Sequence, residues 1–303
     1  MATLIRRIYQ GYRYINEELT GTETRICCTQ VKDTSSHVNV LFPEDPRTQD
    51  YFLIGSPWGC FSIVAFYLYF VHVLGPNIMA KRKPFNLNRI LQIYNLIQIV
   101  SCAYIFYKAL VLAWLFHYNF YCEPVDYSDD PRAVEITKIV WSYFLMKLLD
   151  LLDTAFFILR KKQQQVSFLH VYHHTGMALG SWAATKFLPG GHITFLGTLN
   201  SFVHMVMYTY YLATSLRISK PWWKKYVTQL QLTQFCLITI HFVMLAWVED
   251  CGFPKWTAAV MIPQNLFMLM MFGDFYYKSY IKMRKSCENG VPSDVSNGKL
   301  KSQ

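Results

Sequence analysis

Apolar residues in this chain run in long blocks separated by short polar ones. Taking about 20 apolar residues as one bilayer crossing, seven blocks qualify, at roughly 57–74, 91–118, 134–158, 166–186, 192–214, 226–248 and 257–280. Blocks of this length, punctuated by Gly75-Pro76, Pro84 and Pro189-Gly190-Gly191, predict helices joined by tight turns. The expected fold class is therefore an all-α membrane protein with seven transmembrane helices. The expected domain limits are an N-terminal lumenal arm over 1–50, a seven-helix membrane domain over 51–284 and a disordered cytosolic tail over 285–303. Within the arm, Arg6, Arg7, Tyr9, Tyr12, Arg13 and Tyr14 suit either an interfacial helix or a solvated segment. No apolar stretch follows Met1, so no cleavable signal peptide is expected and the first span serves as the signal. There is no internal repeat.

Composition sharpens that picture. Of 303 residues 53% are hydrophobic and only 16% charged, so any charge inside a span stands out. A net charge of +10 would point a soluble protein toward nucleic acid, but here the basic residues sort by loop. Lys81, Arg82, Lys83 and Arg89 follow span 1; Arg160, Lys161 and Lys162 follow span 3. Arg217, Lys220, Lys224 and Lys225 follow span 5, and Lys278, Lys282, Arg284 and Lys285 follow span 7. The loops after spans 2 and 6 are acidic instead, with Glu123, Asp126, Asp129, Asp130, Glu249 and Asp250. The positive-inside rule then puts the N-terminus in the lumen and the C-terminus in the cytosol, with no nucleic-acid partner. On a cytosolic tail, Lys299 and Lys301 read as a dilysine address for the endoplasmic reticulum. Cys122 and Cys251 fall in the two acidic loops, where an oxidising lumen permits a disulfide, though Cys27 and Cys28 share that side and compete. Cys60, Cys102 and Cys236 fall within spans, as packing residues.

Four spans carry polar groups at helical spacing. Span 3 has Lys147, Asp150, Asp153 and Thr154; span 4 has His170, His173 and His174; span 5 has Asn200, His204, Tyr208 and Tyr211; span 6 has Thr228, Gln231 and Gln234. Each set occupies one face of its helix. Any one set is explicable as an internal ion pair, a tyrosine packing stripe or inter-helix hydrogen bonding. Counted at about 1.5 Å per residue from the cytosolic ends, however, all four lie roughly 5 to 20 Å deep. Ionisable groups in a bilayer are costly and point into a bundle or a wet cavity, so a shared depth predicts a polar chamber opening toward the cytosol. His37, His72, His117, His192 and His241 lie outside this pattern and take no role; His117 and His192 read as interfacial, His72 and His241 as core.

Lys147-x-x-Asp150-x-x-Asp153-Thr154, His170-x-x-His173-His174, His204-x-x-Met207-Tyr208-x-Tyr210-Tyr211 and Thr228-x-x-Gln231-x-x-Gln234 resemble, in order, the signature boxes of the elongation of very long chain fatty acids (ELOVL) family. The resemblance runs from about Phe52 to Lys285 and takes in Arg82-Lys83-Pro84-Phe85 and Glu249-Asp250-Cys251. Where this chain has Asp150, the family's first box usually has Glu. The resemblance implies a 3-ketoacyl-CoA synthase of the endoplasmic reticulum membrane, condensing a long or very long acyl-CoA with malonyl-CoA to 3-ketoacyl-CoA, CO2 and CoA, without a metal or other cofactor. It implies six of the seven helices surrounding a narrow acyl tunnel, and, as partners, the bilayer and the reductases and dehydratase that complete elongation. Carried over residue by residue, His173 is the acyl acceptor, His204 its facing partner, and His170 and His174 tune them. Lys147, Asp150 and Asp153 hold the electrostatics; Asn200, Tyr208, Tyr211, Gln231 and Gln234 position thioester or CoA; Cys122 and Cys251 match paired cysteine positions. No cysteine lies in the four boxes, and imidazole is a competent nucleophile near neutral pH. Lys224 and Lys225, one turn before Thr228, are the better candidates among the loop cations for CoA phosphates, although for any single one of them setting topology carries the greater weight. The competing readings are a membrane di-iron desaturase or hydroxylase, which needs several multi-histidine boxes where this chain has one, and a seven-span receptor or transporter, which leaves the histidines unexplained.

Overall fold

The computed structural model describes residues 44–216 and 222–282, all within the unit Phe42–Gln303. The aromatic and basic stretch of the arm, Cys27 and Cys28, Arg217 and Lys220, and the tail with Lys299 and Lys301 lie outside them. Among the described residues there are seven long helices: α1 (Pro57–Ala80), α2 (Asn88–Trp114), α3 (Pro131–Leu159), α4 (Phe168–Phe187), α5 (Thr194–Ser215), α6 (Lys224–Trp247) and α7 (Trp256–Lys282). Each begins and ends within a few residues of its apolar block. By length and composition α1, α2, α6 and α7 are apolar enough to cross a membrane, which makes this a multi-pass membrane protein. The other three, α3, α4 and α5, carry the lysine, carboxylates and histidines that lower their apolar character.

Local chemistry sets the helix ends. Asp130 caps α3, accepting from Arg132 N at 2.9 Å, with Pro131 in the first turn, where its missing N–H costs nothing. At the other end Lys161 adopts φ +54°, and the amides of Lys161 and Lys162 return to the carbonyls of Ile158 and Phe157, a left-handed cap that stops the helix abruptly. Ser167 then caps α4 by accepting from His170 N at 3.2 Å. The result is a tight α3–α4 hairpin that brings the His170 turn against the last turns of α3.

Along the bundle α2 packs on α3 and α5, α3 on α4, α5 on α6 and α6 on α7, with α1 applied to α3 and α4. Between α4 and α7 the Tyr172 hydroxyl donates to Gln264 Oε1 at 2.6 Å. One end of the bundle carries the disulfide Cys122–Cys251, Cα atoms 5.8 Å apart, tying the α2–α3 loop to the α6–α7 loop. Residues 44–56 are clamped to that same end. Asp45 is buried and paired with Arg47, which also donates to the carbonyls of Asp126 and Ser128. Trp141 and Trp182 donate their indole N–H groups to the carbonyls of Phe52 and Leu53 at 3.1 Å. Lys186, buried near the end of α4, is neutralised by Glu44 at 3.0 Å and donates to Ile54 and Gly55 carbonyls, which satisfies a charge that would otherwise be costly there. Burial adds to the sequence reading at three positions. His192 is fully buried, because it stacks on His241 inside the bundle. Cys236 is exposed on a face of α6 that turns away from the packed helices, and His72, also exposed, lies not in the packed core but on the lining of the cavity described below.

Candidate active site

A cavity of about 1070 Å³ lies within the bundle, lined by residues of all seven helices. Its walls are mainly aliphatic, and the polar groups on them include His72 from α1, Lys108 from α2, His173 and Thr175 from α4, Asn200 from α5, Gln234 from α6, and Gln264 and Asn265 from α7. An apolar void with a small number of placed polar groups is the usual form of a small-molecule site. Below His173 the α4 wall is smooth: a Cβ added at Gly176 or at Gly180 would meet no atom within 4 Å.

Behind the wall the charged groups of α3 form a closed network. Asp150 is its hub. One carboxylate oxygen accepts from Lys147 Nζ at 2.8 Å, and the other accepts from Gln98 Nε2 at 2.8 Å and from the Tyr208 hydroxyl at 3.1 Å. Tyr208 lies closer still to Asp153, at 2.7 Å, so the single phenolic proton is shared between two carboxylates. Lys147 also approaches His204 Nδ1 at 3.4 Å and sits 4.8 Å over the Tyr143 ring. An ammonium can only donate, so a bond from Lys147 requires Nδ1 of His204 as acceptor; the same nitrogen lies 3.6 Å from Asp150 Oδ2. Tyr143 in turn donates to Asn200 Oδ1 at 2.9 Å, linking the network to the cavity wall. A buried ion pair with its remaining positions filled by neutral donors is the arrangement that offsets desolvation.

The histidines form a second, adjoining set. His170 Nε2 bonds Thr154 Oγ1 at 2.9 Å, and Thr154 bonds the Tyr67 hydroxyl of α1, also at 2.9 Å. His170 and His174 have ring centroids 4.1 Å apart, and His174 meets His173 at 5.7 Å. Position on the helix separates their environments: His174 is buried toward α3, whereas His173 faces the cavity.

Of the residues singled out from sequence, Lys147, Asp150, Asp153, His204 and Tyr208 meet in one network; His170, His173 and His174 are contiguous; His173, Asn200 and Gln234 line the cavity. The rest stand apart. Gln231 is turned to Met207 Sδ at 3.5 Å, Tyr211 is 39% exposed, and Lys224 and Lys225 are exposed at the start of α6. Sequence reading missed Gln98, Tyr94, Tyr143 and Tyr67. Gln98 is fully buried and donates to both Asp150 and Tyr94. The available signal was an amide stripe of helical spacing in an apolar helix, Gln92, Asn95 and Gln98. Thr175 Oγ1 and Gln234 Oε1 are buried at the cavity without a hydrogen-bond partner among the described residues, polar capacity that a ligand can satisfy.

Comparison with known proteins adds an independent line. The family model described as "ELO: GNS1/SUR4 family" matches residues 52–288. A very long chain fatty acid elongase of Aedes aegypti is 45% identical over 240 residues, covering 78% of this chain and 67% of that protein. Very long chain fatty acid elongase 7 of Rattus norvegicus is 39% identical over 291 residues, 94% of this chain and 98% of its own. Very long chain fatty acid elongase 1 of Homo sapiens is 40% identical over 262 residues, 84% and 94% respectively.

Proposed function

The chain belongs to the ELO (GNS1/SUR4) family, and on that footing we propose that it is a fatty acid elongase, a 3-oxoacyl-CoA synthase that condenses long or very long acyl-CoA with malonyl-CoA through an acyl-imidazole on His173. In the first step a ring nitrogen of His173 attacks the thioester carbonyl and CoA leaves as the thiol. In the second, malonyl-CoA loses CO2, and the carbanion so formed attacks the acyl carbonyl, making the new carbon–carbon bond and breaking the bond to His173, whose ring nitrogen takes a proton from solvent to return to neutral imidazole. The observation that carries this reading is the position of His173 on the wall of a large apolar cavity, where an acyl group bound to the imidazole has space for its tail. His204, with Lys147 holding its Nδ1 side, presents an N–H to the oxyanion or enolate that develops, the type of preorganised donor that lowers such barriers. Asp150 and Asp153 keep Lys147 and Tyr208 in place, and Asn200 and Gln234 give hydrogen bonds to the thioester arm.

The reading takes α3, α4 and α5 as crossings too, their polar groups turned inward, and treats the cavity as an acyl tunnel surrounded by six helices. The disulfide end is then lumenal, the His170 end cytosolic, and the reticulum membrane the site of action, where reductases and a dehydratase would process the product. No cofactor beyond the two CoA substrates is needed. Family membership leaves the di-iron and receptor readings without support. Intact-protein mass spectrometry tests the mechanism: wild type incubated with acyl-CoA alone should gain the mass of the acyl group, and His173→Ala should neither gain it nor condense. Full turnover by His173→Ala would overturn the covalent step.

A further inference from the structure

Behind the lining at the disulfide end of the cavity lies a pair of histidines that the condensation does not use. His192, in the turn before α5, and His241 of α6 are 0% and 1% exposed, with ring centroids 3.7 Å apart and planes 5° from parallel. Each ring Nε2 lies 3.2 Å from the backbone carbonyl of the other residue. A carbonyl only accepts, so both rings carry a proton on Nε2 and the two hydrogen bonds are reciprocal. Neither Nδ1 has a partner among the described residues. Trp114, Phe195, Phe242 and Phe253 surround the pair, so nothing polar offsets those two buried acceptors. Two apolar residues would pack here without that cost. What they would not do is bond each other's backbone and so fix the start of α5 to a defined level of α6.

That fixed level coincides with the cavity wall. Ile193 and Thr194, which follow His192, line the cavity, as does Ile238, one turn before His241. The His192 turn is also held from the opposite side, where its N–H donates to Glu123 O at 2.8 Å in the loop that the disulfide closes. Along α4 the lining continues from His173 to Ala184, eleven residues or about 16 Å of helix, so it leads from the histidine wall toward the turn that carries His192. A tail anchored at His173 meets the wall carried by this pair.

We propose that the His192–His241 pair is the positioning element of the cavity's end wall and sets the longest acyl chain that the enzyme elongates. This rests on the cavity being the acyl-tail site. His241→Phe and His192→Phe keep a stacked ring and lose the Nε2 donor; with the clasp open, the wall yields. In membranes or detergent with malonyl-CoA and a series of saturated acyl-CoAs, both variants should extend products at least two carbons beyond the wild-type ceiling. Their rate on substrates well below that ceiling should stay within twofold of wild type. His241→Gln, whose amide restores a donor, should return the ceiling to the wild-type length. Gly180→Leu, which fills the cavity directly, is the control and should lower the ceiling. If Gly180→Leu lowers the ceiling and both Phe variants leave it unchanged, the clasp proposal is wrong and the cavity reading stands. If Gly180→Leu has no effect, the cavity does not hold the tail and both fall. An equal loss of rate at every chain length, or failure of both Phe variants to fold, assigns the pair to stability alone and overturns its role in specificity.

Discussion

Replacing Asp150 by Asn removes one charge from the most buried ion pair of the bundle without changing its volume. Lys147 and Asp150 side chains are each 4% exposed, 2.8 Å apart. Asn retains an acceptor for Gln98 and Tyr208 but leaves the ammonium facing only His204 Nδ1 at 3.4 Å and the Tyr143 ring at 4.8 Å. Breaking a buried pair from one side costs about 3–5 kcal/mol, mostly the desolvation of the orphaned charge. For a domain of this size each kcal/mol moves Tm by about 2–4 °C, so a fall on the order of 10 °C follows. Lys147→Met combined with Asp150→Asn has no orphan and should recover much of that loss, giving a coupling energy of about 2–3 kcal/mol across the cycle. Thermal unfolding of the detergent-solubilised protein, followed by tryptophan fluorescence and by size-exclusion of the heated sample, reads all four corners. Asp150→Glu, restoring the residue usual in the family's first box, should remain near wild type. Strict additivity of the two single substitutions would refute the assignment of Asp150 as the counter-ion of Lys147.

Three further outcomes follow from the same structure. Cys251→Ser should lower stability by about 2–5 kcal/mol, since the bond closes a loop across a separation of 129 residues; non-reducing peptide mapping should recover Cys122 joined to Cys251, and free alkylation of both thiols would exclude the pairing. Gly191→Ala should cost about 1–3 kcal/mol, because Gly191 has φ +65° and a Cβ there would stand 2.8 Å from the carbonyl oxygens of Glu123 and Pro124; an unchanged melting temperature would contradict that geometry. Lys224→Ala with Lys225→Ala should raise KM for acyl-CoA or malonyl-CoA more than it lowers kcat, with the defect shrinking for substrates that lack the distal phosphate; an unchanged KM for both substrates would leave these exposed lysines with topology alone.

The order of apolar and polar residues was enough to place the helices, because in a bilayer the length of an apolar block fixes the length of the helix. Helical period also put Lys147, Asp150 and Asp153 on one face and His170, His173 and His174 on another, since that depends only on a 100° step. Which face meets which neighbour is a matter of packing, and there the sequence was silent. Helical period could not tell His173, on the cavity wall, from His174, buried one residue later; only the family resemblance singled His173 out. Nor could it find Gln98 as the second donor to Asp150, because α2 and α3 are brought together only by the folded bundle. His192 and His241 show the limit most plainly. Separated by 49 residues and each set in an unremarkable apolar context, they become a reciprocal clasp only because the α4–α5 turn and α6 converge at the disulfide end. Charge, length and period are local properties that a chain displays before it folds; the pairing of buried polar groups is decided by which partners the tertiary structure brings within hydrogen-bond reach.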